Sequence, residues 1–213
     1  MTKKFNDKEY WENYYENILG TNKISHPSLF AQYLIDNKIV NNNDNIIELG
    51  CGNGRDSLFF AKQGCKVIAI DQCHNTTSFL NSIENIKSYA DDFTRLNSLE
   101  KKVNVVYSRF TLHSIDETDE ERTIDWVYDN LETNGIFCIE ARTINDPICG
   151  KGERKGNNVW FYNNHHRRFL VANDFKEKIK SKGFEIMYFE EKDGFAKSGD
   201  NNPIVLRLIA KIK

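Results

Sequence analysis

The chain has 213 residues, of which 39% are hydrophobic and 12% aromatic. This length and composition favour one α/β domain with a large core and exclude a disordered chain. The formal net charge of −2 argues against binding to nucleic acid or to an anionic membrane, because both need a broad positive field. We therefore expect one domain over residues 1–213, with residues 1–40 as an N-terminal helical cap.

No apolar run approaches the roughly 20 residues that a membrane helix requires. The first residues also lack the apolar centre of a signal peptide, so the sequence predicts a cytoplasmic protein. The five cysteines are scattered and form no C-x-x-C pair, and we expect no metal site. The oligomeric state stays open at this level.

The N-terminal region predicts two helices. Tyr10, Trp11, Tyr14 and Tyr15 are placed at helical spacing and form an aromatic stripe. Aromatic residues in such a stripe pack against a core more often than they cover a ligand, and we favour packing. A second helix is expected from Pro27 to about residue 37, with the proline in its first turn.

Strands and helices alternate after residue 44. Apolar runs predict strands at 45–49, 66–71, 87–90, 103–108, 135–142, 184–191 and 204–212, and helices at 55–63, 76–85, 118–131 and 173–182. Thr118 and Glu121 have the spacing of a capping box. The polar stretch 145–165 is expected to be a long loop. The last two strands have a short connection and should pair antiparallel, which closes a mostly parallel sheet with helices on both faces.

A glycine-rich turn follows the first strand. Gly50, Gly52 and Gly54 lie between strand and helix, where the backbone can approach a ligand at the helix N-terminus. Asp71 ends the second strand about 20 residues later, which suits a ribose diol. Glu48 precedes the turn, and an acid so close favours a cationic ligand over a pyrophosphate. The pattern indicates a nucleoside-containing cofactor.

These residues resemble those of the class I S-adenosylmethionine-dependent methyltransferases. The stretch "ELGCGNGRD" (48–56) is similar to their first motif, Asp71 to their ribose-binding acid, and "ADDF" (90–93) to the segment that holds adenine. The resemblance spans nearly the whole chain. It implies an α/β, Rossmann-like sheet of seven strands in the order 3-2-1-4-5-7-6, with strand 7 antiparallel, and S-adenosyl-L-methionine as cofactor.

The same resemblance implies a set of cofactor-binding residues. Asp92 would accept a hydrogen bond from the adenine amino group beside the Phe93 backbone amide, although Asp91 could take this place. Ser108 would face the methionine end of the cofactor. The full set that the resemblance implies is Glu48, Gly50, Gly52, Gly54, Arg55, Asp71, Gln72, Asp92, Phe93, Ser108 and Tyr14.

Cationic side chains follow three segments that should meet at the carboxyl edge of the sheet, where α/β proteins bind ligands. Arginines directed at one point suit a phosphate or carboxylate, so we expect a small anionic acceptor. A solvated face for Arg167 and Arg168, with His165 and His166 pointing to opposite sides, is the alternative. The candidate acceptor site comprises Arg109, His113, Arg142, His165, His166, Arg167 and Arg168, with Arg109, His113 and Arg142 as catalytic residues.

The combination "YSRFTLHSI", "EARTINDPICGKG" and "NNHHRRF" also resembles a subgroup of methyltransferases that modify bacterial surface polysaccharides, including the O-methyl phosphoramidate group of capsules. A phosphate or phosphoramidate oxygen is already anionic and needs no general base. A sugar hydroxyl would need one, and His113 is then the candidate. A cofactor-binding module without catalysis is the alternative from another class, and a nicotinamide oxidoreductase is more remote.

Overall fold

A computed structural model describes residues 7–19, 26–97 and 102–213. The helices are α1 (Lys8–Leu19), α2 (Leu29–Asp36), α3 (Arg55–Lys62), α4 (His74–Leu80), α5 (Glu117–Asn130) and α6 (Ala172–Ser181). The strands are β1 (Asn45–Leu49), β2 (Lys66–Asp71), β3 (Ile86–Ala90), β4 (Val103–Arg109), β5 (Leu131–Arg142), β6 (Glu153–Gly156), β7 (Val159–Tyr162), β8 (His165–Arg168), β9 (Glu185–Lys192) and β10 (Val205–Lys211). Two short 3-10 helices cover Phe93–Arg95 and Leu112–Ser114.

Seven strands form the central sheet in the order β3-β2-β1-β4-β5-β10-β9. Strands β1 to β5 pair in parallel, and β10 runs antiparallel to both of its neighbours. The prediction of a mostly parallel, Rossmann-like sheet is therefore confirmed. The predicted order 3-2-1-4-5-7-6 needs a correction, because the last two strands of this sheet are the ninth and tenth of the chain.

The three additional strands lie where the sequence predicted a loop. Strands β6, β7 and β8 form a separate antiparallel sheet. The turn between β7 and β8 consists of Asn163 and Asn164, with φ of 52° and 63°. Two successive residues with positive φ make the tight hairpin turn that asparagine tolerates well. The polar composition of this region hid a hairpin that holds residues 165–168 in an extended strand.

The core has one apolar layer on each face of the central sheet. Successive residues of β1 point to opposite faces, so Ile46 joins one layer and Ile47 the other. The layer of Ile46 includes Phe30 of α2 and Phe60 of α3, whereas Ile47 lies in the layer that contains Val127 of α5. Helices thus cover both faces, as predicted.

Two helices begin differently from the prediction. Helix α2 follows Ser28, whose side chain accepts a hydrogen bond from the Ala31 amide at 3.0 Å, so Pro27 precedes the cap. Helix α5 is capped by Asp116, which accepts from the Asp119 amide at 2.8 Å. The aspartate serves the free amides of the first turn, and the predicted Thr118 cap lies inside the helix.

The two N-terminal helices have different surroundings. Helix α1 contacts α4, while α2 packs on the sheet with Phe30 and Leu34 fully buried. The grouping of residues 1–40 as one cap, like the single domain over 1–213, stays a prediction. None of the helices in the described ranges is long and apolar enough to cross a membrane.

Candidate active site

A cavity of about 580 Å³ opens at the carboxyl edge of the central sheet. This volume is typical of sites for small molecules and cofactors. Residues at or just after the carboxyl ends of β1 to β5 line it, together with the aromatic side of α1 and part of β8. The cavity therefore joins the glycine-rich turn to the basic residues that the sequence placed at the same edge.

The carboxylate of Asp71 holds the glycine-rich turn in place. The Gly52 amide donates to Asp71 Oδ2 at 2.8 Å, and the Cys73 amide donates to Oδ1 at 2.9 Å. Gly52 has a φ of +53°, and a Cβ at this position would lie 2.3 Å from the Tyr15 hydroxyl. Asp71 lines the cavity, and its oxygens keep lone pairs for a ligand.

The three glycines differ in what they face. Gly50 lines the cavity, whereas Gly52 and Gly54 lie outside its lining. Gly54 precedes α3 with a φ of +74°, and a Cβ there would lie 2.5 Å from Leu80 of α4. The assignment of Gly54 to ligand binding is thus corrected, because its small size serves the packing of α3 against α4.

Glu48 is a buried carboxyl group at the wall of the cavity. The hydroxyl of Ser57 donates a hydrogen bond to it, and Asp56 lies close by. Burial, followed by the negative charge of Asp56, raises the pKa of Glu48 to about 8. A cation placed beside Glu48 would favour the ionised form, so this wall suits a positively charged ligand.

The segment after β3 provides another wall. Asp92 and Phe93 line the cavity, as do Arg55 at the start of α3 and Gln72 directly after β2. Asp92 Oδ1 accepts hydrogen bonds from the amide and the hydroxyl of Thr94, at 3.0 and 2.7 Å. Asp91 is exposed and lies outside this lining, so of the two acids the structure brings Asp92 to the cavity.

Ser108 does not reach the cavity, which corrects its assignment. Its side chain is buried, and its Oγ lies 2.5 Å from Oγ1 of Thr111. Thr111 lines the cavity and is the residue that the sequence analysis missed here. The strand ends at Arg109, and the turn that follows brings Thr111 in front of Ser108.

The aromatic stripe of α1 faces the cavity. Tyr10, Trp11, Tyr14 and Tyr15 all line it, and they also pack on one another. These residues thus pack on one another, and the same rings form part of the cavity wall. Tyr14 is 45% exposed at the rim, while Tyr15 reaches the glycine-rich turn.

Arg109 belongs to a buried ionic group. Its Nε donates to Glu140 Oε1 at 2.9 Å, and Arg207 Nε donates to Glu140 Oε2 at 2.6 Å. Glu140 and Arg207 are buried, whereas Arg109 lines the cavity. Glu140 thus holds Arg109 in the wall, but its single negative charge is shared with Arg207, so this group keeps a net positive charge beside the cavity.

Phe110 separates two guanidinium groups. The guanidinium carbons of Arg109 and Arg142 lie 4.4 and 5.3 Å from the centre of its ring. Phe110 has a φ of +59°, an unfavourable conformation for a bulky residue, and such strain is concentrated at functional sites. Arg142 also donates from Nη1 to Asp146 at 2.6 Å. The sequence analysis missed Phe110, although this residue directly follows β4 at the binding edge.

Arg167 and Arg168 have different roles. Arg167 lines the cavity and donates from Nη1 to the Tyr162 carbonyl at 2.7 Å. It has no carboxylate partner within the described ranges, and burial together with the charge of Arg142 lowers its pKa. Arg168 pairs with the buried Glu120 and lies outside the lining. Its assignment to the acceptor site is therefore corrected.

His113 is buried and lines the same cavity as Arg142 and Arg167. The Arg142 amide donates to His113 Nδ1 at 3.3 Å, which leaves the proton of the neutral ring on Nε2. Burial, followed by the charge of Arg142, lowers the pKa of His113 well below its usual value. His113 therefore offers the cavity a neutral hydrogen-bond donor.

Only one of the two adjacent histidines of β8 faces this cavity. His165 lines it, and its Nδ1 lies 3.0 Å from the Asn163 carbonyl. Burial and the charge of Arg167 lower its pKa to about 4. The amide and Nδ1 of His166 instead contact Asp7, at 2.8 and 3.0 Å, and His166 lines a separate cavity between α1 and the hairpin. His166 is thus removed from the candidate site.

Comparison with known proteins agrees with the class that this fold and site indicate. A family described as a methyltransferase domain matches residues 24–188. The chain therefore belongs to this methyltransferase family, and S-adenosyl-L-methionine is its cofactor. Helix α1 lies before the matched region.

A curated relative is the carboxy-S-adenosyl-L-methionine synthase of Pseudoalteromonas atlantica. It is 32% identical over an alignment of 112 residues, and the match covers 47% of this chain and 45% of the relative. The match thus spans less than half of that protein's length.

Several solved structures share the fold. A methyltransferase from Methanosarcina mazei has a TM-score of 0.72 at 16% identity, covering 83% of this chain and 96% of its own. The 1,6-didemethyltoxoflavin-N1-methyltransferase of Burkholderia thailandensis, solved with its substrate and S-adenosylhomocysteine, has a TM-score of 0.72 at 13% identity, covering 97% and 87%. TehB from Haemophilus influenzae has 0.67 at 20%, covering 95% and 67%. At these identities the likeness shows the fold alone.

Proposed function

We propose that this protein transfers the methyl group of S-adenosylmethionine to an oxygen of a small anionic acceptor. A phosphate or phosphoramidate intermediate of capsule modification is the first candidate for the acceptor. The observation that supports this proposal most directly concerns Arg167. Its guanidinium lines the cavity without a carboxylate partner among the described residues. A partly buried cation beside Arg142, which is itself paired with Asp146, is stabilised by an anionic ligand. The sequence resemblance to capsule-modifying methyltransferases supports the choice of a phosphorylated group.

The cofactor would occupy the side of the cavity formed by the glycine-rich turn. Asp71 has free lone pairs for the ribose hydroxyls, and Glu48 lies where a positive charge would favour its ionised form. Asp92 and Phe93 form the wall assigned to adenine. When bound, the cofactor supplies an electrophilic methyl group on a sulfonium. The residues of the chain orient the two reactants, and such alignment is a large part of the rate enhancement in a bimolecular transfer.

The acceptor would occupy the cationic side. Arg142 and Arg167 can hold anionic oxygens, and His113 can donate a hydrogen bond from Nε2. An anionic oxygen needs no general base. The hydroxyl alternative required His113 as that base, but its Nδ1 already accepts from the Arg142 amide and its Nε2 carries the proton. The arrangement therefore favours the anionic acceptor.

The fold alone does not assign the reaction, because proteins that share it are named for different reactions. A [4+2]-cyclase, SpnF, shares the fold with a TM-score of 0.67 at 12% identity, covering 85% of this chain and 79% of its own. The curated relative is named a synthase. The chemistry of this chain therefore depends on its own side chains and not on the fold.

The test is the transfer of label from methyl-labelled S-adenosylmethionine to three acceptor pools. These are phosphoramidates and phosphate monoesters, nucleotide-linked sugars, and bulk tRNA. We expect label in the first pool, and we expect Arg167→Ala to slow its incorporation about a hundredfold. Label in the sugars or tRNA alone would refute the anionic acceptor. The proposal would also be contradicted if the protein binds the cofactor but forms S-adenosylhomocysteine with none of the three pools.

A further inference from the structure

Two buried imidazoles face the cavity with opposite hydrogen-bonding patterns. The backbone amide of Arg142 can only donate, so His113 Nδ1 must accept and His113 Nε2 carries the proton. The carbonyl of Asn163 can only accept, so His165 Nδ1 must donate and His165 Nε2 keeps a lone pair. Neither Nε2 atom has a hydrogen-bond partner within the described part of the chain. The cavity thus presents one neutral donor and one neutral acceptor.

The surroundings of His165 keep it in the neutral form. Tyr10 stacks on its ring at 4.3 Å between centroids, and Trp11 lies at 4.9 Å, both from α1. Burial of the ring lowers its pKa most, and the positive charges of Arg167 on the same strand and Arg142 on β5 lower it further. The carboxylate of Asp7 favours protonation but is outweighed. The lone pair on Nε2 therefore persists near neutral pH.

We infer that the acceptor is an anion that carries an N–H or O–H donor beside its charged oxygens. The charged oxygens would face Arg142, Arg167 and the Nε2–H of His113. The neighbouring donor would be bound by Nε2 of His165. This inference rests on the proposed function, since it describes the acceptor of the same cavity.

An anion without such a donor fits the site less well. One of its oxygens, or an apolar group, would then face the His165 lone pair, and the buried nitrogen would lose its water without gaining a partner. The same geometry distinguishes amidated and hydroxylated anions from simple ones. Binding therefore selects the acceptor by a neutral hydrogen bond in addition to charge.

Matched probe anions test this directly. Sulfamate and methanesulfonate have the same charge and shape and differ only by an amino group in place of a methyl group. Binding of each to the protein loaded with S-adenosylhomocysteine is measured by calorimetry. We expect sulfamate to bind about fivefold more tightly or better, the value of one hydrogen bond. Glycolate and propionate provide the same comparison for an O–H donor on a carboxylate. The two pairs together show whether the site prefers an N–H or an O–H donor.

A variant identifies the residue responsible. His165→Phe keeps a ring for the stack on Tyr10 but removes the lone pair, so the preference for sulfamate should vanish while methanesulfonate binds within about twofold of wild type. His74→Gln, at an exposed histidine of α4, should keep the preference. Nitrogen NMR of labelled histidine in the wild type should show the proton of His165 on Nδ1, a result that needs no variant.

The outcomes separate this inference from the proposed function. Equal binding of the paired probes, or a proton on His165 Nε2, would overturn the inference while leaving the anionic site intact. Failure of all four anions to bind would overturn both. Tight probe binding that Arg167→Ala does not weaken would show that the anions occupy another place, which also contradicts both.

Discussion

The imidazole of His165 on β8 stacks on the phenol ring of Tyr10 on α1, with centroids 4.3 Å apart and planes inclined by 29°. Trp11 completes the contact from the same helix. These rings connect the N-terminal helix, which precedes the region matched by the methyltransferase family, to the basic hairpin. Helix α1 and strand β8 therefore form one wall of the cavity.

Removal of this stack should weaken acceptor binding. An aromatic pair contributes about 0.5–1.5 kcal/mol, so we expect Tyr10→Ala to raise the acceptor KM roughly three- to tenfold. Steady-state kinetics with saturating cofactor provide the measurement. Tyr89→Ala is the control, since Tyr89 is 51% exposed on β3 and lies outside the cavity. An unchanged KM in Tyr10→Ala would show that α1 plays no part in the acceptor site.

Arg167 and Arg168 are adjacent, yet their substitution should give different results. Arg167→Ala should reduce kcat/KM for the acceptor by about a hundredfold, the value of a charged hydrogen bond, with a small change in stability. Arg168→Ala should lower the free energy of unfolding by about 3 kcal/mol, because the buried Glu120 loses a partner. Kinetics and urea denaturation of both variants distinguish the roles. A reversed pattern would return Arg168 to the acceptor site.

A side chain at Gly52 should weaken cofactor binding by steric overlap. Substitution of a second glycine separates this effect from the cost of the positive φ. Gly52→Ala places a methyl group 2.3 Å from the Tyr15 hydroxyl and next to the amide that binds Asp71. We expect at least about a tenfold loss of cofactor affinity. Gly150→Ala has a similar positive φ but no neighbour within 4 Å, so it incurs the backbone cost alone. Equal cofactor affinity in the two variants would contradict this account.

Glu48 should make stability depend on pH. Its pKa is raised to about 8 by burial and by Asp56, so the folded state binds a proton that the unfolded state releases above about pH 4.5. The contribution of Glu48 is therefore complete below that pH and is lost as the pH rises towards 8, by up to about 1.4 kcal/mol per pH unit. Urea denaturation at several pH values should show this loss in the wild type.

Two variants test the assignment to Glu48. Glu48→Gln cannot ionise, and its unfolding free energy should lose this component of the pH dependence. Glu132→Gln, at an exposed position of β5, should retain it. Identical pH dependence in the wild type and in Glu48→Gln would assign the effect to another group.

His113 should not appear as a base in the pH–rate profile. Burial and Arg142 lower its pKa well below the usual value, so the ring is neutral near neutral pH. We expect His113→Phe, which keeps a ring but has no N–H donor, to lower kcat/KM by a constant factor of about ten, the loss of one hydrogen bond. A limb in the wild-type profile that disappears in the variant would restore the hydroxyl acceptor with His113 as base.

The cofactor side of the site could be predicted well from local patterns. A strand, three glycines and a helix follow each other directly in the chain, and Asp71 ends the next strand, so short-range geometry brings them together. Ser108 shows the limit of such patterns. Its place at a strand end is correct, but the turn at Phe110 puts Thr111 between Ser108 and the cavity, and only the folded turn decides this.

The basic stretch shows what the sequence determined by itself and what it did not. Composition and position gave an excess of cations at the carboxyl edge of an α/β sheet, because strand direction fixes which residues emerge there. Which of these cations face the cavity and which are paired within the protein depended on tertiary structure. The hairpin turn at Asn163 fixes which side chains of β8 face inward, and α5 provides the buried carboxylate that takes Arg168. Carboxylates distant in the chain pair with Arg168 and His166, whereas Arg167 and His165 line the cavity.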